Sequence, residues 1–434
     1  MNYQNKLKEQ INQYADIENM HDLPEVFHFW SKNYIVPAIR DVFGCDNFVD
    51  IYFNACVQLL SNNKYIKILS IGCGDGTIEI ELADKLLASG YRDFQLIGVD
   101  LSPILLKKFQ EKAKKYKNAP CAVEIVEGDL NQGVVTGPFD VIIANHALHH
   151  MLELESLFNF IYKELSNGGI FATVDMIGRN GHMRWPETYG IVRAFWPLLS
   201  KNQQYHAQLN RPEPIFYDWD CSGEGFEGIR AQDILPLILK RFYPSKFIGV
   251  GGFIDVFLDR SYGHGFDSKN DSDIRLIKCI AELNEHLLDI NAVKPTIMLA
   301  HFTKVKCEEK CYRDRNARQS VRDQLKDIKY HGLNYEVKVE NWGPQETLEA
   351  TKFNIQPNGL SAMWVKVKGV SRHPKTHVLF GGNEISGQDV SVQYEAVTFI
   401  VSDELIQKSG SYEVAIIEGD TGRKIFVGEF QVRK

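Results

Sequence analysis

The sequence lacks the features of a membrane-spanning, an exported or a nucleic-acid-binding protein. No stretch reaches the ~18 consecutive apolar residues that a membrane helix needs, and the N-terminal residues lack the apolar core of a signal peptide. The net charge of −7 provides no overall excess of Lys and Arg for a phosphate backbone. We therefore expect a cytoplasmic protein that binds neither membranes nor nucleic acids.

Cysteine pairs spaced for a metal ion are also missing. The eight cysteines are scattered, and the closest pair, Cys307 and Cys311, has no second pair to complete a zinc site. His146, His149 and His150 follow a predicted strand, but no carboxylate lies beside them in the sequence. We therefore predict no metal site.

The chain length of 434 residues favours two or three domains. Residues 1–60 are predicted as a helical cap, and residues 61–306 alternate short apolar runs with helical segments. Residues 178–245 interrupt that alternation with many Trp, Pro, Tyr and Arg residues, which predicts an insertion that covers the substrate. The segment 307–333 is highly charged and predicts a linker helix, and residues 334–434 consist of short strands separated by turns.

These patterns define a fold class for each domain. Strands that alternate with helices predict an α/β domain with a doubly wound, mostly parallel sheet. Its apolar runs are nearly continuous, as expected for strands buried on both faces. The last ~100 residues have the strand spacing of an all-β sandwich of immunoglobulin-like type.

The stretch "ILSIGCGDGTIEIEL" joins the first predicted strand of the α/β domain to a helix and contains three glycines. A phosphate-binding P-loop is excluded because Thr77 and Ile78, rather than Lys and Ser or Thr, follow the last glycine. A dinucleotide loop is disfavoured because the third glycine is Gly76, one position earlier than that loop requires.

Acidic residues in and after this loop favour a cationic ligand. Asp75, Glu79 and Glu81 are present without a basic residue, although acids in a first helical turn also stabilise the helix dipole. The next two strands end at Asp100 and at Asp129. Carboxylates at the ends of successive parallel strands lie in the crevice where such sheets bind ligands, and they can accept hydrogen bonds from a ribose and from an adenine amino group.

Five segments together resemble the motifs of class I S-adenosylmethionine-dependent methyltransferases. They are "ILSIGCGDG", "GVDLS", "EGDL", "FDVIIANHALHHM" and "LSNGGIFATVDM". The resemblance implies a Rossmann-like sheet of seven strands and S-adenosyl-L-methionine as the cofactor. It places the following residues at the cofactor: Gly72, Cys73, Gly74 and Gly76 near the methionine part and ribose, Asp100 and Leu101 at the ribose, Asp129 and Leu130 at the adenine, and Asn145 after the fourth strand.

Methyl transfer to a hydroxyl needs a general base close to the acceptor. His146 and His182 are the predicted catalytic residues, and His149 is expected to pack or cap the following helix. Aromatic, acidic and arginine side chains after the fifth strand suit a sugar or another polyhydroxylated acceptor. The predicted substrate-binding residues are His150, Arg179, Arg184, Trp185, Glu187, Tyr217 and Trp219.

The sequence leaves the acceptor open. O-methylation of a sugar or a glycosylated metabolite is the preferred hypothesis, and an amine, a lipid or a peptide-like natural product is the alternative. A non-catalytic scaffold is a third hypothesis, which the complete cofactor motifs oppose. The C-terminal domain resembles immunoglobulin-like domains of the IPT/TIG type, which implies a protein partner or a homo-oligomer.

Overall fold

The computed structural model describes residues 23–61, 65–117, 119, 121–128, 134–223, 227–322, 337, 339–367, 370, 375–393, 396–419 and 422–434. The chain divides into two compact units. The first contains Met1–Met183, Tyr205–Arg211 and Cys221–Asp323. The second contains Arg184–Gln204, Pro212–Asp220 and Gln324–Lys434. The predicted residues Asp129 and Leu130 lie outside the described residues.

The helices between residues 25 and 320 have clear local signals. They are α1 (Glu25–Trp30, continued by a π-helical turn Ser31–Ile35), α2 (Val36–Phe43), α3 (Phe48–Leu60), α4 (Thr77–Ala88), α5 (Pro103–Ala113), α6 (Leu154–Glu164), α7 (Pro186–Phe195, in the second unit), α8 (Ala231–Ile238), α9 (Asp271–Asp289) and α10 (Ala317–Ser320). Asn47 and Ser102 cap α3 and α5 by accepting backbone N–H bonds, and Pro103 occupies the first turn of α5. None of the described helices combines the length and apolarity needed to cross a membrane.

One mixed sheet of eight strands organises the first unit. The strands between residues 66 and 311 are β1 (Ile66–Ile71), β2 (Phe94–Asp100), β3 (Ala122–Glu127), β4 (Phe139–Asn145), β5 (Leu165–Met176), the short strands β6 (Tyr205–His206) and β7 (Arg211–Pro212), then β8 (Tyr243–Val250), β9 (Ile297–Thr303) and β10 (Lys310–Cys311). The order in the sheet is β10-β8-β9-β5-β4-β1-β2-β3. Strands β1 to β5 are parallel, and β9 runs antiparallel to both β5 and β8.

The sheet core explains the continuous apolar runs of the sequence. Strands β1 and β4 are neighbours in the interior of the sheet and are buried along nearly their whole length. The ring of Phe171 on β5 lies 6.0 Å from that of Phe302 on β9 and 5.9 Å from that of Phe242. These rings belong to an apolar cluster to which α6 and α8 also contribute. The predicted α/β fold with a mostly parallel sheet is therefore confirmed.

The predicted number of seven strands is wrong, because Lys310 and Cys311 add an eighth strand that pairs in parallel with β8. The continuous helix predicted from Cys307 onward is not found between residues 310 and 322. Instead, the short helix α10 buries Ala317, and Arg315 is buried beside Glu285 of α9 at 2.6 Å. The charged residues of this segment are therefore not all exposed, because Arg315 takes part in a buried ion pair.

The second unit contains α7 and two C-terminal β-sheets. The strands are β11 (Val339–Gly343), β12 (Glu346–Leu348), β13 (Ser361–Val367), β14 (His377–Phe380), β15 (Asn383–Ile385), β16 (Val390–Val392), β17 (Ala396–Val401), β18 (Gly410–Ile417) and β19 (Lys424–Arg433). One sheet has the order β11-β13-β17-β16 and the other β12-β19-β18-β14-β15. Side chains from both sheets, including Val365, Phe399 and Phe430, form one apolar cluster. Strands β12, β15 and β16 are not individually predictable from the sequence, because three residues each are too few for a visible alternation.

We expect Arg315→Ala to lower the free energy of unfolding by about 3–5 kcal/mol, because the substitution removes the buried guanidinium beside Glu285. Arg318→Ala, on the exposed surface of α10, is the matched control and should change it by less than about 0.5 kcal/mol. Urea denaturation of both variants measures the difference. Equal effects would contradict the structural role of this ion pair.

Candidate active site

The glycine loop after β1 has a backbone that only glycine adopts easily. Gly72, Gly74 and Gly76 have φ angles of 63°, 54° and 73°. A Cβ atom on Gly72 would lie 2.6 Å from the Cβ of Ala147, and one on Gly76 would lie 2.0 Å from the Phe109 ring. The loop is therefore packed closely beneath the turn that follows β4.

Backbone hydrogen bonds tie this loop to the end of β2. The N–H groups of Gly72 and Cys73 donate to the carbonyl of Val99 at 2.8 and 3.1 Å. Asp100 accepts from the Gly74 N–H at 2.9 Å and from the Ser102 N–H at 2.8 Å. Burial nevertheless raises the pKa of Asp100 above its usual value. The structure thus brings the predicted glycines, Cys73 and Asp100 together, with Leu101 half-buried beside them.

The glycine loop is contacted by a basic residue of a neighbouring helix, which the sequence did not reveal. Lys112 of α5 contacts Asp75 and the Thr77 hydroxyl, each at 2.6 Å. Asp75 also accepts the Thr77 hydroxyl hydrogen at 2.8 Å. Because Lys112 balances the charge of Asp75, the predicted preference of this region for a cationic ligand depends on the carboxylates of Glu79 and Asp100.

An N-terminal helix reaches the same end of the sheet. Tyr52 of α3 is fully buried and donates its hydroxyl hydrogen to the Asn145 side chain at 2.7 Å. Asn145 is the last residue of β4, beside β1 in the sheet. The predicted cofactor residue Asn145 therefore lies in the crevice at the carboxyl ends of the central strands, held by a helix of the N-terminal segment.

Asp175 on β5 organises the turn that follows β4. Its carboxylate is fully buried and accepts the backbone N–H groups of Ala147 and Leu148 at 2.9 and 2.7 Å. It also contacts Nδ1 of His149 at 2.7 Å. The expectation that His149 packs is therefore incomplete, because its ring is also hydrogen-bonded to a buried carboxylate.

Glu227 joins three histidines from two loops. Its Oε1 lies 2.8 Å from Nε2 of His182 and 3.5 Å from Nε2 of His149, and its Oε2 lies 3.6 Å from Nδ1 of His150. The His149 ring lies 5.4 Å from the His182 ring and 4.0 Å from the His150 ring. We call Asp175, Glu227, His149, His150 and His182 the histidine cluster.

The backbone around His182 is fixed by the segment before α8. The Gly181 N–H donates to the carbonyl of Gly228 at 2.8 Å, while Asn180 and Gln232 exchange side chain–backbone hydrogen bonds at 3.2 Å each. Gly228 has φ 64°, and a Cβ there would lie 3.1 Å from the His182 ring. His182 itself has φ 54°, so both residues adopt a left-handed backbone where His182 meets Glu227.

The members of the histidine cluster differ in their pKa values and therefore in their protonation states at neutral pH. Burial alone would lower the pKa of His149, but the charge and hydrogen bond of Asp175 outweigh it and raise the pKa to about 10. Burial, helped by the positive charge of His149, lowers the pKa of His150 to about 3. Although burial opposes ionisation of Glu227, hydrogen bonds from His149 and His182 keep its pKa well below the usual range. At neutral pH the cluster therefore contains a cationic His149 between two carboxylates.

The same arrangement meets the distance criterion for binding a metal ion. One ligand atom from each of His149, His182 and Glu227 lies within 4.8 Å of the others. The expectation that the protein has no metal site therefore stays a prediction. It was made from a sequence in which Glu227 lies far from His149 and His182.

The remaining predicted residues occupy both units. His146 is exposed after β4, with φ 49° and its ring 6.3 Å from that of His149. Arg179 is half-buried in the loop after β5 of the first unit. The second unit contains Arg184, Trp185 and Glu187, all half-buried, together with the buried Tyr217 and Trp219, which is 52% exposed. The roles of these residues stay predictions.

Sequence reasoning missed Glu227 as a site residue. It lies in the glycine-rich stretch "GEGFEGIR", 45 residues beyond His182. An acid between glycines shortly before a helix was the available signal, but only the folded chain shows that it faces the histidines. Asp175 was visible in the sequence as a polar residue near the end of a buried strand.

Known proteins resemble this chain over the region just described. Residues 69–171 match the family profile described as "Methyltransferase domain". The carboxy-S-adenosyl-L-methionine synthase of Nautilia profundicola is 33% identical over 122 residues, which cover 27% of this chain and 48% of that protein. The probable polyketide synthase 42 of Dictyostelium discoideum is 24% identical over 159 residues, covering 34% of this chain and 6% of that protein. The chain thus spans half or less of the length of these curated relatives.

A solved structure adds a weaker likeness. An O-methyltransferase from a trans-AT polyketide synthase multienzyme of Brevibacillus brevis, in complex with S-adenosyl-L-homocysteine, is 15% identical. The match covers 58% of this chain and 72% of the other, with a TM-score of 0.33. The class of this domain is therefore inferred from the profile match and from the sheet described above, and not from this likeness.

This chain contains a class I S-adenosylmethionine-dependent methyltransferase domain. Its methyl donor is S-adenosyl-L-methionine. The glycine loop and Asp100 fit that donor, because three glycines with positive φ form a close backbone turn after β1 and the Asp100 carboxylate is hydrogen-bonded to this loop at the end of β2.

We expect the free energy of unfolding to decrease as the pH rises from about 7 through 10. His149 has an ordinary pKa of 6.5 and a folded-state pKa of about 10, so its contribution is complete below 6.5 and is lost as it deprotonates. In Asp175→Asn, the pKa of His149 should fall back toward 6.5 or below, and this part of the pH dependence should disappear. Histidine NMR titration and urea denaturation measure the two effects.

Asp140→Asn is the matched control. Asp140 is a carboxylate of β4 that accepts the Lys67 N–H at 2.9 Å, away from the histidine cluster. This substitution should leave the His149 titration unchanged. A His149 pKa near 10 in Asp175→Asn would show that Asp175 does not set it.

Proposed function

We propose that this protein transfers the methyl group of S-adenosyl-L-methionine to a hydroxyl oxygen of a small-molecule acceptor. The observation that supports this proposal is the contact between His182 and Glu227 at 2.8 Å. It belongs to the histidine cluster, whose Asp175 also holds the turn that packs on Gly72 of the glycine loop. A neutral hydroxyl is a weak nucleophile, and a histidine oriented by a carboxylate is a common means to remove its proton.

The donor supplies an electrophilic methyl group on a sulfonium, so the protein needs to position the acceptor and to receive one proton. Glu227 accepts the Nε2–H of His182 and thereby favours the tautomer in which Nδ1 can accept a proton. As the hydroxyl oxygen bonds to the methyl carbon, its proton passes to Nδ1 of His182. Glu227 then stabilises the imidazolium, as the carboxylate of a catalytic triad does.

Asp175 and His149 act as positioning residues in this scheme. His149 is held by Asp175 and presents its Nε2 to Glu227 at 3.5 Å. Its positive charge keeps Glu227 ionised, and an ionised Glu227 is needed to orient His182. His146 is exposed on the adjoining turn and is proposed as an acceptor contact rather than as the base.

The acceptor class has two candidates. The sequence analysis favoured a sugar hydroxyl because aromatic and polar residues follow β5. The similarity to a polyketide synthase of Dictyostelium discoideum favours instead a hydroxyl on a polyketide chain. An amine acceptor fits less well, since N-methylation needs less help from a general base.

The C-terminal sheets are proposed to form an immunoglobulin-like sandwich with an interaction role. Named A to G in chain order, with A′ for β12 and C′ for β15, the strands give sheets A-B-E-D and A′-G-F-C-C′. The first order matches that of the immunoglobulin fold, and the second contains its three-stranded sheet. This supports the resemblance drawn from the sequence, in which a protein partner or a second copy binds the domain.

We expect Glu227→Gln and His182→Gln each to lower kcat by about 10²- to 10⁴-fold, the usual loss when a general base is disabled. Because neither side chain belongs to the glycine loop, the affinity for S-adenosyl-L-homocysteine should stay within about twofold. His286→Gln, on the exposed surface of α9, is the control and should retain full activity. Radiolabelled methyl transfer and calorimetric titration provide the two measurements.

Two outcomes would contradict the proposed base. Full activity of His182→Gln would exclude it directly. Loss of wild-type activity with a chelator, restored by added metal, would show that the three ligand atoms bind an ion instead.

We expect a panel of methyl acceptors to separate the candidate classes. Free and glycosylated sugars, β-hydroxyacyl thioesters and primary amines should be compared by mass spectrometry for a gain of one methyl group. The proposed function predicts that the best substrate carries a hydroxyl and that its methylation depends on Glu227. A preference for amines, unaffected by Glu227→Gln, would contradict it.

A further inference from the structure

A buried carboxylate with one unused oxygen lies behind the glycine loop. Glu79, in the first turn of α4, is only 3% exposed. Its Oε1 accepts the hydroxyl hydrogen of Ser70 on β1 at 2.6 Å. Its Oε2 is buried and has no hydrogen-bond partner within the described part of the chain. Glu79 therefore has one buried carboxylate oxygen to which none of the described residues donates a hydrogen bond.

Among the described residues, the charged groups that act on Glu79 are acidic. The ionisable groups that face it are Asp75 and Asp100, both acidic, together with Tyr52 of α3 and Cys73 of the loop. Lys112 is held by Asp75 instead. Burial raises the pKa of Glu79 to about 7, although the hydrogen bond from Ser70 opposes that rise.

A buried carboxylate of this kind lowers the stability of the folded protein unless another group compensates for its burial. A buried carboxylate without a cationic partner destabilises a folded protein, and a buried oxygen without a hydrogen-bond donor adds to the cost. A glutamine would avoid the charge, and a leucine would avoid the polar oxygen. The charges of Asp75 and Asp100 act on Glu79, so its carboxylate lies close to the glycine loop and to the end of β2, where the donor is predicted to bind.

We propose that Glu79, oriented by Ser70, binds the α-ammonium group in the methionine part of S-adenosyl-L-methionine. The ammonium would complete the hydrogen bonding of Oε2 and supply the missing positive charge. Ser70 is a positioning residue, because it contacts Glu79 and not the ligand. This assignment concerns the donor and is independent of the proposed acceptor and base.

The proposal has a consequence for proton release. A cation beside Glu79 favours its ionised form, so binding lowers the pKa of Glu79 below about 7. At pH 6 the free protein has Glu79 mostly protonated, and ligand binding should expel that proton. Because the linkage is reciprocal, ligand affinity should fall as the pH decreases below about 7.

Calorimetric titration at pH 6, in buffers of different ionisation enthalpy, measures the protons released on binding. S-adenosyl-L-homocysteine retains the α-ammonium, whereas 5′-methylthioadenosine lacks the whole amino-acid part. We expect the full-length wild type to release a proton with the first ligand and none with the second. In Glu79→Gln the release should disappear, and the affinity for S-adenosyl-L-homocysteine should fall about 10- to 100-fold, as for loss of a hydrogen bond to a charged group.

Methylthioadenosine also serves as the control for a structural effect. Its affinity should be the same in the wild type and in Glu79→Gln, and Glu81→Gln, exposed on the same helix, should bind both ligands normally. Equal losses for both ligands in Glu79→Gln would overturn the proposal. So would wild-type proton release that is the same with both ligands, a measurement that remains decisive if the variant fails to fold.

Discussion

The active-site end of this fold depends on one buried carboxylate, Asp175. It accepts three backbone hydrogen bonds from the turn after β4 and contacts the His149 ring, so that one side chain of β5 holds the turn that follows the neighbouring strand. The turn that it holds includes Ala147, which packs against Gly72 of the donor loop. Displacement of this carboxylate would therefore disturb the glycine loop and the histidine cluster together, because both are built around the same turn.

The two sides of the proposed reaction differ in their electrostatics. On the donor side Asp100 and Glu79 are acidic, and Lys112 balances Asp75. On the acceptor side His149 is cationic between two carboxylates. A sulfonium donor loses its positive charge when its methyl group leaves, while a hydroxyl acceptor releases a proton. Negative charge near the donor suits binding of the cationic sulfonium before transfer, and a histidine–carboxylate pair near the acceptor suits removal of the hydroxyl proton.

The close approach of the predicted donor residues could be anticipated in part from the sequence, because these residues lie at the ends of successive strands; their role at the donor stays a prediction. The glycines and Asp100 needed only the strand–turn–helix pattern, and the sheet placed them together. The acceptor side could not be predicted in the same way. Glu227 meets His182 where the Gly181 N–H donates to the Gly228 carbonyl, a contact between distant segments that local patterns do not encode. The eighth strand was missed for a similar reason, since two residues have no periodicity.

That eighth strand has a consequence for association between copies of the chain. A long, uncovered edge strand is a template on which another polypeptide can add a strand of its own. Here β10 offers two residues at the edge, and α10 contacts β8 beside it. This border of the sheet therefore gives a foreign strand little room to continue the hydrogen-bond ladder. The charged segment that was predicted as a linker thus also covers part of this edge of the sheet.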